Sequence, residues 1–347
     1  MPEPRTYRLC VTAVVEETAD ARSFVLRPRP EDAGRFAHRP GQFLTVRVPG
    51  AGVARCYSLA SSPHTVEPLK ITVKRVAGGY GSHWLCDRVA TGDELEVLPP
   101  AGTFTPASLD RDLLLVAGGS GITPVISIAK SVLVGGTGKV ALLYANRDES
   151  AVIFRDELRE LTEGFPDRLV AVHWLESVQG LPAADRLAGV VAPYADRDTY
   201  VCGPGPLMDA VEAALGGGRV HRERFFSLSA DVFAAPGDAP GDETAQGETV
   251  QDEAGEGHST AEVELDGQTH VVRWPVRTPL LDALLADGVD APYSCREGSC
   301  GACACRIVSG ETKMFRNDVL DEQDLAEGYV LACQAVPLTN EVAVSYS

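Results

Sequence analysis

The sequence lacks any uninterrupted apolar run that approaches the roughly 18 residues needed to span a membrane. Residues 1–13 also lack an apolar core of signal-peptide length. Basic residues are scarce, since 31 Lys and Arg stand against 49 Asp and Glu and leave a net charge of −18. Such an acidic chain repels the phosphate backbone of nucleic acids. We therefore expect a cytoplasmic protein that binds neither a membrane nor nucleic acid.

The chain has nine cysteines, an odd number that cannot all pair in disulfides within one chain. Five of them lie singly in apolar or motif contexts, which argues against the disulfide framework of a secreted protein and favours thiols or metal ligation. These five are Cys10, Cys56, Cys86, Cys202 and Cys305. We expect Cys305 to be a thiol in a protein core.

The other four cysteines have a specific spacing. Cys295, Cys300 and Cys303 follow the pattern C-x4-C-x2-C, and Cys333 comes after 29 further residues. This is the plant-type spacing for four thiolates on one [2Fe-2S] cluster. A structural zinc site and four unrelated core cysteines remain as alternatives, although zinc sites favour two C-x2-C pairs and this chain has one.

The composition divides the chain into three domains and a linker. Residues 234–257 are rich in Pro, Gly, Ala, Glu and Asp and have no Lys or Arg, so we expect a flexible acidic linker over 229–260. It precedes a C-terminal domain at 261–347 that carries the cluster motif. This motif resembles that of plant-type ferredoxins, and the resemblance implies a ferredoxin domain with an α+β (β-grasp) fold. Short strands at Phe43–Val48, Arg55–Ala60 and Leu69–Arg75 indicate an antiparallel β-barrel domain over 1–108.

The segment 109–228 has a different pattern. Apolar runs alternate with helical segments there, which is typical of a parallel α/β sheet. The runs are Leu113–Ala117, Val140–Tyr144, Leu169–Trp174 and Tyr200–Cys202.

Two motifs in the first domain, Arg55-Cys56-Tyr57-Ser58 and Gly79-Tyr80-Gly81-Ser82, resemble the flavin-binding signatures of the ferredoxin-NADP reductase superfamily. The resemblance implies that Arg55 neutralises the flavin pyrophosphate, that Tyr57 stacks on the isoalloxazine and that Ser58 hydrogen-bonds near flavin N5. It also places Val73 and Lys74 against the cofactor. A diphosphate favours a guanidinium and a helix N-terminus, so Gly81 and Ser82 are predicted to open a helix on it. Simple packing of a strand tyrosine remains an alternative for Tyr57.

The second domain has a glycine run, Gly118-Gly119-Ser120-Gly121-Ile122-Thr123-Pro124, directly after a predicted strand. It is not a G-x-G-x-x-G fingerprint. The glycines would still let a dinucleotide approach the backbone, with Thr123 as helix N-cap and Pro124 as first helical residue. An ordinary glycine turn remains an alternative.

A later segment, Cys202-Gly203-Pro204-Gly205-Pro206 with Met208, resembles the Cys-Gly-Pro element of the same superfamily, whose thiol lies near the nicotinamide C4. A buried core cysteine is the alternative for Cys202. Phe225 resembles the aromatic residue that covers the flavin, with an apolar anchor before the linker as its alternative. The resemblance makes Ser58 and Cys202 the catalytic candidates.

The order flavin, nicotinamide, ferredoxin resembles oxygenase reductases. Three longer strings resemble the reductase components of 3-ketosteroid 9α-hydroxylases: Tyr144 to Ser150, His173 to Pro182 and Ser294 to Cys305. The shorter cofactor motifs are shared with reductases of phenylacetyl-CoA epoxidase and of dioxygenases. The resemblance implies a monomeric enzyme that transfers electrons from NADH through FAD and the cluster to a Rieske-type terminal oxygenase. FAD is favoured over FMN because Pro99 to Phe104 resembles FAD-type barrels.

The coenzyme preference depends on Arg147, which follows the strand at Val140–Tyr144. A 2′-phosphate could bind there, but Asp148 and Glu149 would repel it, and Asp148 could bind ribose hydroxyls instead. We therefore expect NADH. Two other functions remain open, a redox sensor without turnover and a flavodoxin- or haem-reducing enzyme whose ferredoxin domain is regulatory.

Overall fold

A computed structural model describes residues 6–50, 53–217, 219–225, 232–233, 258–320 and 322–346. They form two compact units, one with residues 6–50 and 55–225 and one with residues 258–346. Apart from 232–233 and 258–260, the predicted linker lies outside the described residues. Within the described part of the chain, no helix is both long and apolar enough to cross a membrane.

The N-terminal part of the first unit is a six-stranded sheet. Its strands are β1 (Tyr7–Thr18), β2 (Ala21–Arg27), β3 (Phe43–Val48), β4 (Val53–Ser58), β5 (Leu69–Lys74) and β6 (Glu94–Ala101). The strands lie in the order β4-β3-β6-β1-β2-β5. Leu59, directly after β4, pairs with Ile71 of β5, so the two edges of the sheet meet and close the predicted antiparallel barrel. Helix α1 (Tyr80–Arg88) follows β5.

The rest of the first unit is a five-stranded parallel sheet, also as predicted. Its strands are β7 (Leu113–Gly118), β8 (Val140–Asn146), β9 (Leu169–Leu175), β10 (Asp198–Cys202) and β11 (Val220–Glu223). The helices are α2 (Ile122–Gly135), α3 (Arg155–Gly164), α4 (Glu176–Gln179), α5 (Ala184–Val191) and α6 (Gly205–Leu215). Every residue of β7 and β8 is buried, because apolar clusters cover both faces of the sheet.

The strand order of this sheet, β11-β10-β7-β8-β9, determines where a ligand can bind. From β7 the chain first adds β8 and β9 on one side, and it later adds β10 and β11 on the other side. Ligands of open α/β sheets bind at such a switch point, beyond the carboxyl ends of the strands. The loops after β7 and β10 meet there, and they carry the glycine run and the Cys-Gly-Pro element.

The second unit is the predicted α+β domain. Its elements are β12 (His258–Leu265), β13 (Gln268–Pro275), α7 (Leu280–Ala286), β14 (Ala304–Ser309), β15 (Thr312–Met314), α8 (Glu322–Ala326), β16 (Tyr329–Leu331), β17 (Ala335–Pro337) and β18 (Glu341–Ser345). The main sheet has the order β13-β12-β18-β14-β16, with β12 and β18 parallel. Leu280, Leu281 and Leu284 of α7 pack with Trp274 against it. The cysteine motif lies in the loop between α7 and β14.

Candidate cofactor sites

A cavity of about 270 Å³ lies between the barrel and the loop after β7. It brings together the motif residues of β4 and of the α1 N-terminus with Ser120 and Thr123 of the glycine loop. The cavity is lined by Arg55, Cys56, Tyr57, Ser58, Thr72, Lys74, Val76, Gly79, Gly81, Ser82, Ser120, Thr123 and Phe225. Two cations, several hydroxyl groups and two aromatic rings suit a ligand that has both a diphosphate and a flat ring system.

The α1 end of the cavity is suited to bind phosphate. The helix begins at Tyr80 with Gly79 as N-cap, one residue earlier than the sequence predicted. The Ser82 hydroxyl donates to the Gly79 carbonyl and accepts from Val76 N–H, both at 3.1 Å. A Cβ atom at Gly81 would lie 3.1 Å from Cγ of Arg55, so glycine lets the arginine lie against the helix. Arg55 and the first turn of the helix thus border the same end of the cavity.

Strand β5 presents alternate side chains to the cavity. Thr72 and Lys74 line it, whereas the intervening Val73 is buried in the barrel core. Thr72 was not among the predicted site residues, although the alternation of β5 points to it, since residues two apart share a face. Thr72 Oγ1 lies 2.7 Å from Ser23 Oγ. A contact of Val73 with a flavin would have to come from its main chain, and that contact stays a prediction.

The start of α2 corrects one expectation. Thr123 is not the N-cap and Pro124 is not the first helical residue, because α2 begins at Ile122 with Gly121 as its N-cap. A short 3-10 turn over Gly119–Gly121 runs directly into the helix and shifts its start toward the N-terminus. The Thr123 hydroxyl donates instead to the Ser120 carbonyl at 3.1 Å.

The glycines of this loop also have a role that the sequence analysis did not foresee. A Cβ atom at Gly121 would lie 2.1 Å from the Cys202 carbonyl oxygen, and one at Gly203 would lie 2.9 Å from the Gly118 amide nitrogen. These three glycines therefore allow the loops after β7 and β10 to pack together. Gly119 differs, since the nearest atom to a Cβ there is Lys74 Nζ at 3.8 Å. It is the glycine with space for a ligand.

The Cys-Gly-Pro element lies at the end of β10. Cys202 and Met208 are fully buried in the apolar clusters on opposite faces of the sheet, and Pro204 is the N-cap residue of α6. Burial raises the pKa of the Cys202 thiol well above its usual value. Glu223 of β11 pairs in register with Cys202, and burial raises its pKa to about 8. Glu223 was not among the predicted site residues. Its position two residues before Phe225 is the sequence feature that could have indicated it.

A group of one buried and three half-buried charged side chains connects the barrel to the helices of the α/β sheet, and we call it the ionic joint. It consists of Glu67 and Lys70 from the barrel and Lys130 and Glu157 from α2 and α3. Lys130 Nζ lies 2.7 Å from Glu67 Oε1 and 2.8 Å from Glu157 Oε1, and Lys70 Nζ lies 2.7 Å from Glu157 Oε2. Burial opposes ionisation of Glu157, but the charges of Lys130 and Lys70 leave its pKa below the usual value. The joint fixes two walls of the cavity relative to each other.

Arg147 and Asp148 lie at the carboxyl end of β8 and do not border the cavity. Asp148 Oδ1 accepts from Ser150 Oγ at 2.5 Å and from Ala151 N–H at 3.2 Å, so it caps the turn after β8. The Ser150 hydrogen bond lowers the pKa of Asp148 and keeps it charged. Arg147 forms an ion pair with Asp20 of the barrel at 3.1 Å.

The four motif cysteines of the second unit form a separate site. Their sulfur atoms accept backbone hydrogen bonds: Glu297 and Ser299 N–H donate to Cys295 Sγ at 3.4 Å, and Ala302 N–H donates to Cys300 Sγ at 3.4 Å. The Gln334 amide lies 3.6 Å from Cys333 Sγ. Amide donors around thiolates are the environment that a [2Fe-2S] cluster requires, so these residues fit the group that their spacing predicts.

The four cysteine side chains come together in one connected group. Cys295 contacts both Cys300 and Cys333, and Cys333 also contacts Cys303. The loop reaches this arrangement through backbone in the left-handed region, with φ of 58° at Arg296, 77° at Gly298 and 68° at Gly301. Cys305 lies apart on β14, buried in the core as expected.

Three family models match the chain, and together they cover most of it. An oxidoreductase FAD-binding domain matches residues 8–105, an oxidoreductase NAD-binding domain matches 115–213 and a 2Fe-2S iron-sulfur cluster binding domain matches 263–338. These matches confirm the predicted set of cofactors and the order of the domains.

The chain is similar to several curated proteins along almost its whole length. It is 55% identical to the ferredoxin reductase component of 3-ketosteroid-9-alpha-monooxygenase from Rhodococcus rhodochrous, over 99% of this chain and 97% of that protein. Its identity to the protein of the same name from Mycobacterium tuberculosis is 52%, over 97% and 95% of the two chains. One component of the 1,2-phenylacetyl-CoA epoxidase from Escherichia coli is 31% identical, over 98% and 97%.

Among solved structures, the chain resembles phthalate dioxygenase reductase, described as a modular structure for electron transfer from pyridine nucleotides to [2Fe-2S]. The TM-score is 0.57 and the identity 28%, with 98% of each chain covered. The similarity supports the same three-domain architecture for this chain.

Proposed function

We propose, for a chain that belongs to the family of 3-ketosteroid-9-alpha-monooxygenase ferredoxin reductase components, that it passes electrons from NADH through FAD and a [2Fe-2S] cluster to a Rieske-type terminal oxygenase. The oxygenase that we propose as its partner hydroxylates a 3-ketosteroid in steroid degradation. The domain division of the proposal is 1–108 for the barrel, 109–228 for the nucleotide domain and 261–347 for the ferredoxin domain. We further propose that the protein is monomeric and acts in the cytoplasm.

One observation carries the proposal, namely that a single cavity is lined by both the flavin motif and the nucleotide loop. Arg55, Tyr57 and Ser58 line it from the barrel, and Ser120 and Thr123 line it from the glycine loop. Residues that suit a flavin and residues that suit a dinucleotide thus border one space. Such a space allows two cofactors to meet, which a redox sensor without turnover does not need.

The proposed chemistry needs a converter between two-electron and one-electron transfer. Bound FAD accepts two electrons as a hydride and gives them up singly, and a [2Fe-2S] cluster carries one electron at a time. In the proposal, Arg55 and the first turn of α1 bind the diphosphate, and Tyr57 packs on the ring. Ser58 is 3% exposed, and its hydroxyl would donate a hydrogen bond near N5 of the flavin.

Two further residues control access to the nicotinamide in this proposal. Phe225 borders the cavity with 48% of its surface exposed, so its ring can cover the flavin and still move aside. Cys202 is a neutral thiol at pH 7, because burial raises its pKa. It would therefore position the nicotinamide by packing, without acting as a base or a nucleophile. Cys295, Cys300, Cys303 and Cys333 would bind the cluster.

The test is reconstitution of the full chain with a purified 3-ketosteroid 9α-hydroxylase oxygenase. We expect NADH oxidation to be coupled to steroid hydroxylation. The matched control is full-length Cys300→Ser, which should retain NADH-dependent ferricyanide reduction but lose hydroxylation. If the wild-type protein reduces ferricyanide and supports no steroid hydroxylation, while an epoxidase or dioxygenase oxygenase does turn over with it, the proposed partner is wrong.

A further inference from the structure

Asp20 connects the barrel to the nucleotide sheet at a second place, away from the ionic joint. It lies in the turn between β1 and β2. Its Oδ2 atom is 3.1 Å from Arg147 Nη2 at the end of β8 and 3.7 Å from Lys74 Nζ. Lys74 lines the cavity and lies beside Gly119 of the nucleotide loop. One carboxylate of the flavin barrel therefore lies between a cation of the cavity and the cation that follows β8.

The turn holds Asp20 in this orientation. The Thr18 hydroxyl donates to Asp20 Oδ1 at 2.8 Å, and Arg75 N–H donates to the Asp20 carbonyl at 2.7 Å. The other oxygen, Oδ2, is thereby directed at Arg147. On the opposite side, Ser177 N–H donates to the Arg147 carbonyl at 2.8 Å, which fixes the backbone of that residue. Both ends of the ion pair are thus positioned by hydrogen bonds that do not depend on a bound nucleotide.

The position of Arg147 connects the ion pair with coenzyme binding. In α/β sheets of this kind the residues after the second strand contact the adenosine ribose, and an arginine there accommodates a 2′-phosphate. A guanidinium binds phosphate best when its planar fork is available for two parallel hydrogen bonds. In this protein Asp20 engages one arm of the fork and adds a negative charge to those of Asp148 and Glu149.

We infer that Asp20 is a coenzyme-specificity residue of the nucleotide site, although it belongs to the flavin barrel. Because it pairs with Arg147, Asp20 disfavours binding of dinucleotides with a 2′-phosphate and favours those with a free 2′-hydroxyl on the ribose. The inference rests on the proposed preference for NADH and names one of its causes. It makes coenzyme choice depend on contact between the two domains, in addition to the residues beside the ribose.

Asp20→Asn tests the inference because asparagine keeps the Oδ1 acceptor for Thr18 and removes only the charge. In the FAD-loaded full chain, we expect the ratio of kcat/KM for NADPH to that for NADH to rise roughly two- to fivefold. We expect the affinity for 2′,5′-ADP, measured by calorimetry, to rise by a similar factor relative to 5′-AMP. Glu31→Gln makes the same change in net charge at an exposed site in the barrel and should change neither ratio.

The double variant Asp20→Asn with Arg147→Ala tests whether Asp20 acts through the arginine. We expect it to lose the gain in both ratios. An unchanged 2′,5′-ADP ratio in Asp20→Asn overturns the inference, as does a gain that persists in the double variant. A wild-type protein that already prefers NADPH would instead contradict the proposed NADH function, and this result is separate because it appears before any substitution.

Discussion

The cavity of the first unit and the cluster loop of the second are built in different ways. The cavity is lined by side chains from two sheets, and an ionic joint of four side chains holds those sheets together. The cluster loop is one continuous segment plus Cys333, and its polar contacts to sulfur come largely from backbone N–H groups. One site is specified by tertiary packing and the other by local backbone conformation.

This difference predicts how each site responds to substitution. Replacing a side chain of the cavity should weaken one contact with a ligand or loosen one contact between sheets. Replacing a cysteine or a glycine of the cluster loop should act on the whole cluster, because the four thiolates and the backbone around them bind one group. Four substitutions examine this contrast.

The largest effect is expected for Cys300→Ser, which replaces a thiolate ligand by a hydroxyl. We expect loss of the iron-sulfur absorbance, with flavin content and NADH-dependent ferricyanide reduction largely retained. Visible spectra and flavin extraction measure both. Cys305→Ala is the matched control, since it removes a sulfur two residues from Cys303 that lies in the core and should leave the cluster in place. Loss of flavin from Cys300→Ser would show that the two sites depend on each other.

Lys130→Met should have the next largest effect, and it should fall on the first unit. Removing the cation leaves the half-buried Glu67 without Lys130 and leaves Glu157 with Lys70 alone. We expect a loss of about 2–3 kcal/mol in the free energy of unfolding, below the value of about 3–5 kcal/mol for a fully buried pair. Urea unfolding followed by flavin fluorescence measures the loss. Lys139→Met, at an exposed site in the same domain, should leave stability nearly unchanged. Equal midpoints for the two variants would mean that the joint contributes little.

Arg55→Ala should weaken flavin binding without affecting the cluster. A diphosphate that loses its guanidinium forfeits charge-assisted hydrogen bonds of about 1.5–3 kcal/mol, which corresponds to roughly ten- to a hundredfold in affinity. Flavin content after gel filtration is the measurement. Arg39→Ala removes an exposed arginine of the same domain and should retain its flavin. Full flavin occupancy in Arg55→Ala would show that Arg55 does not contribute to flavin binding.

The smallest effect is expected for Gly298→Ala in the cluster loop. Gly298 has a φ of 77°, and an added Cβ would lie 2.9 Å from the Arg316 carbonyl oxygen. We expect about 1–2 kcal/mol of backbone strain, plus a clash with main chain that cannot easily move, and hence a shorter-lived cluster. Gly267→Ala is the control because it has a similar φ of 74° and no atom within 4 Å. Equal iron contents after storage would mean that the clash has no effect on the cluster.

The sequence predicted those features that depend on neighbouring residues. The bounds of β3, Phe43–Val48, follow from local apolar patterning, and they agree with the structure. The four cysteines lie in one loop and in the turn between β16 and β17, and their spacing along the chain is itself the signal. The FAD, NAD and 2Fe-2S domains, which the family models confirm, were identified in this way.

The features that escaped prediction depend on contacts between distant segments. Asp20 and Arg147 are separated by 127 positions, and no local pattern connects them. Glu223 comes beside Cys202 only through pairing of parallel strands. The predicted start of α2 was wrong because a 3-10 turn and a helical turn have similar sequence requirements. Thr123 and Pro124 indicated a helix boundary, but the 3-10 turn at Gly119–Gly121 places the start of the helix at Ile122.

The ionic joint limits how this protein can be recombined with its relatives. A chimaera that takes the barrel from one protein and the nucleotide domain from another joins Glu67 and Lys70 of one parent to the residues at 130 and 157 of the other. Unless the second parent supplies a matching lysine and glutamate, the half-buried charges of Glu67 and Lys70 face no partner at the new junction. These four side chains therefore have to be inherited together, and a crossover in this protein is better placed outside residues 67–157 than between them.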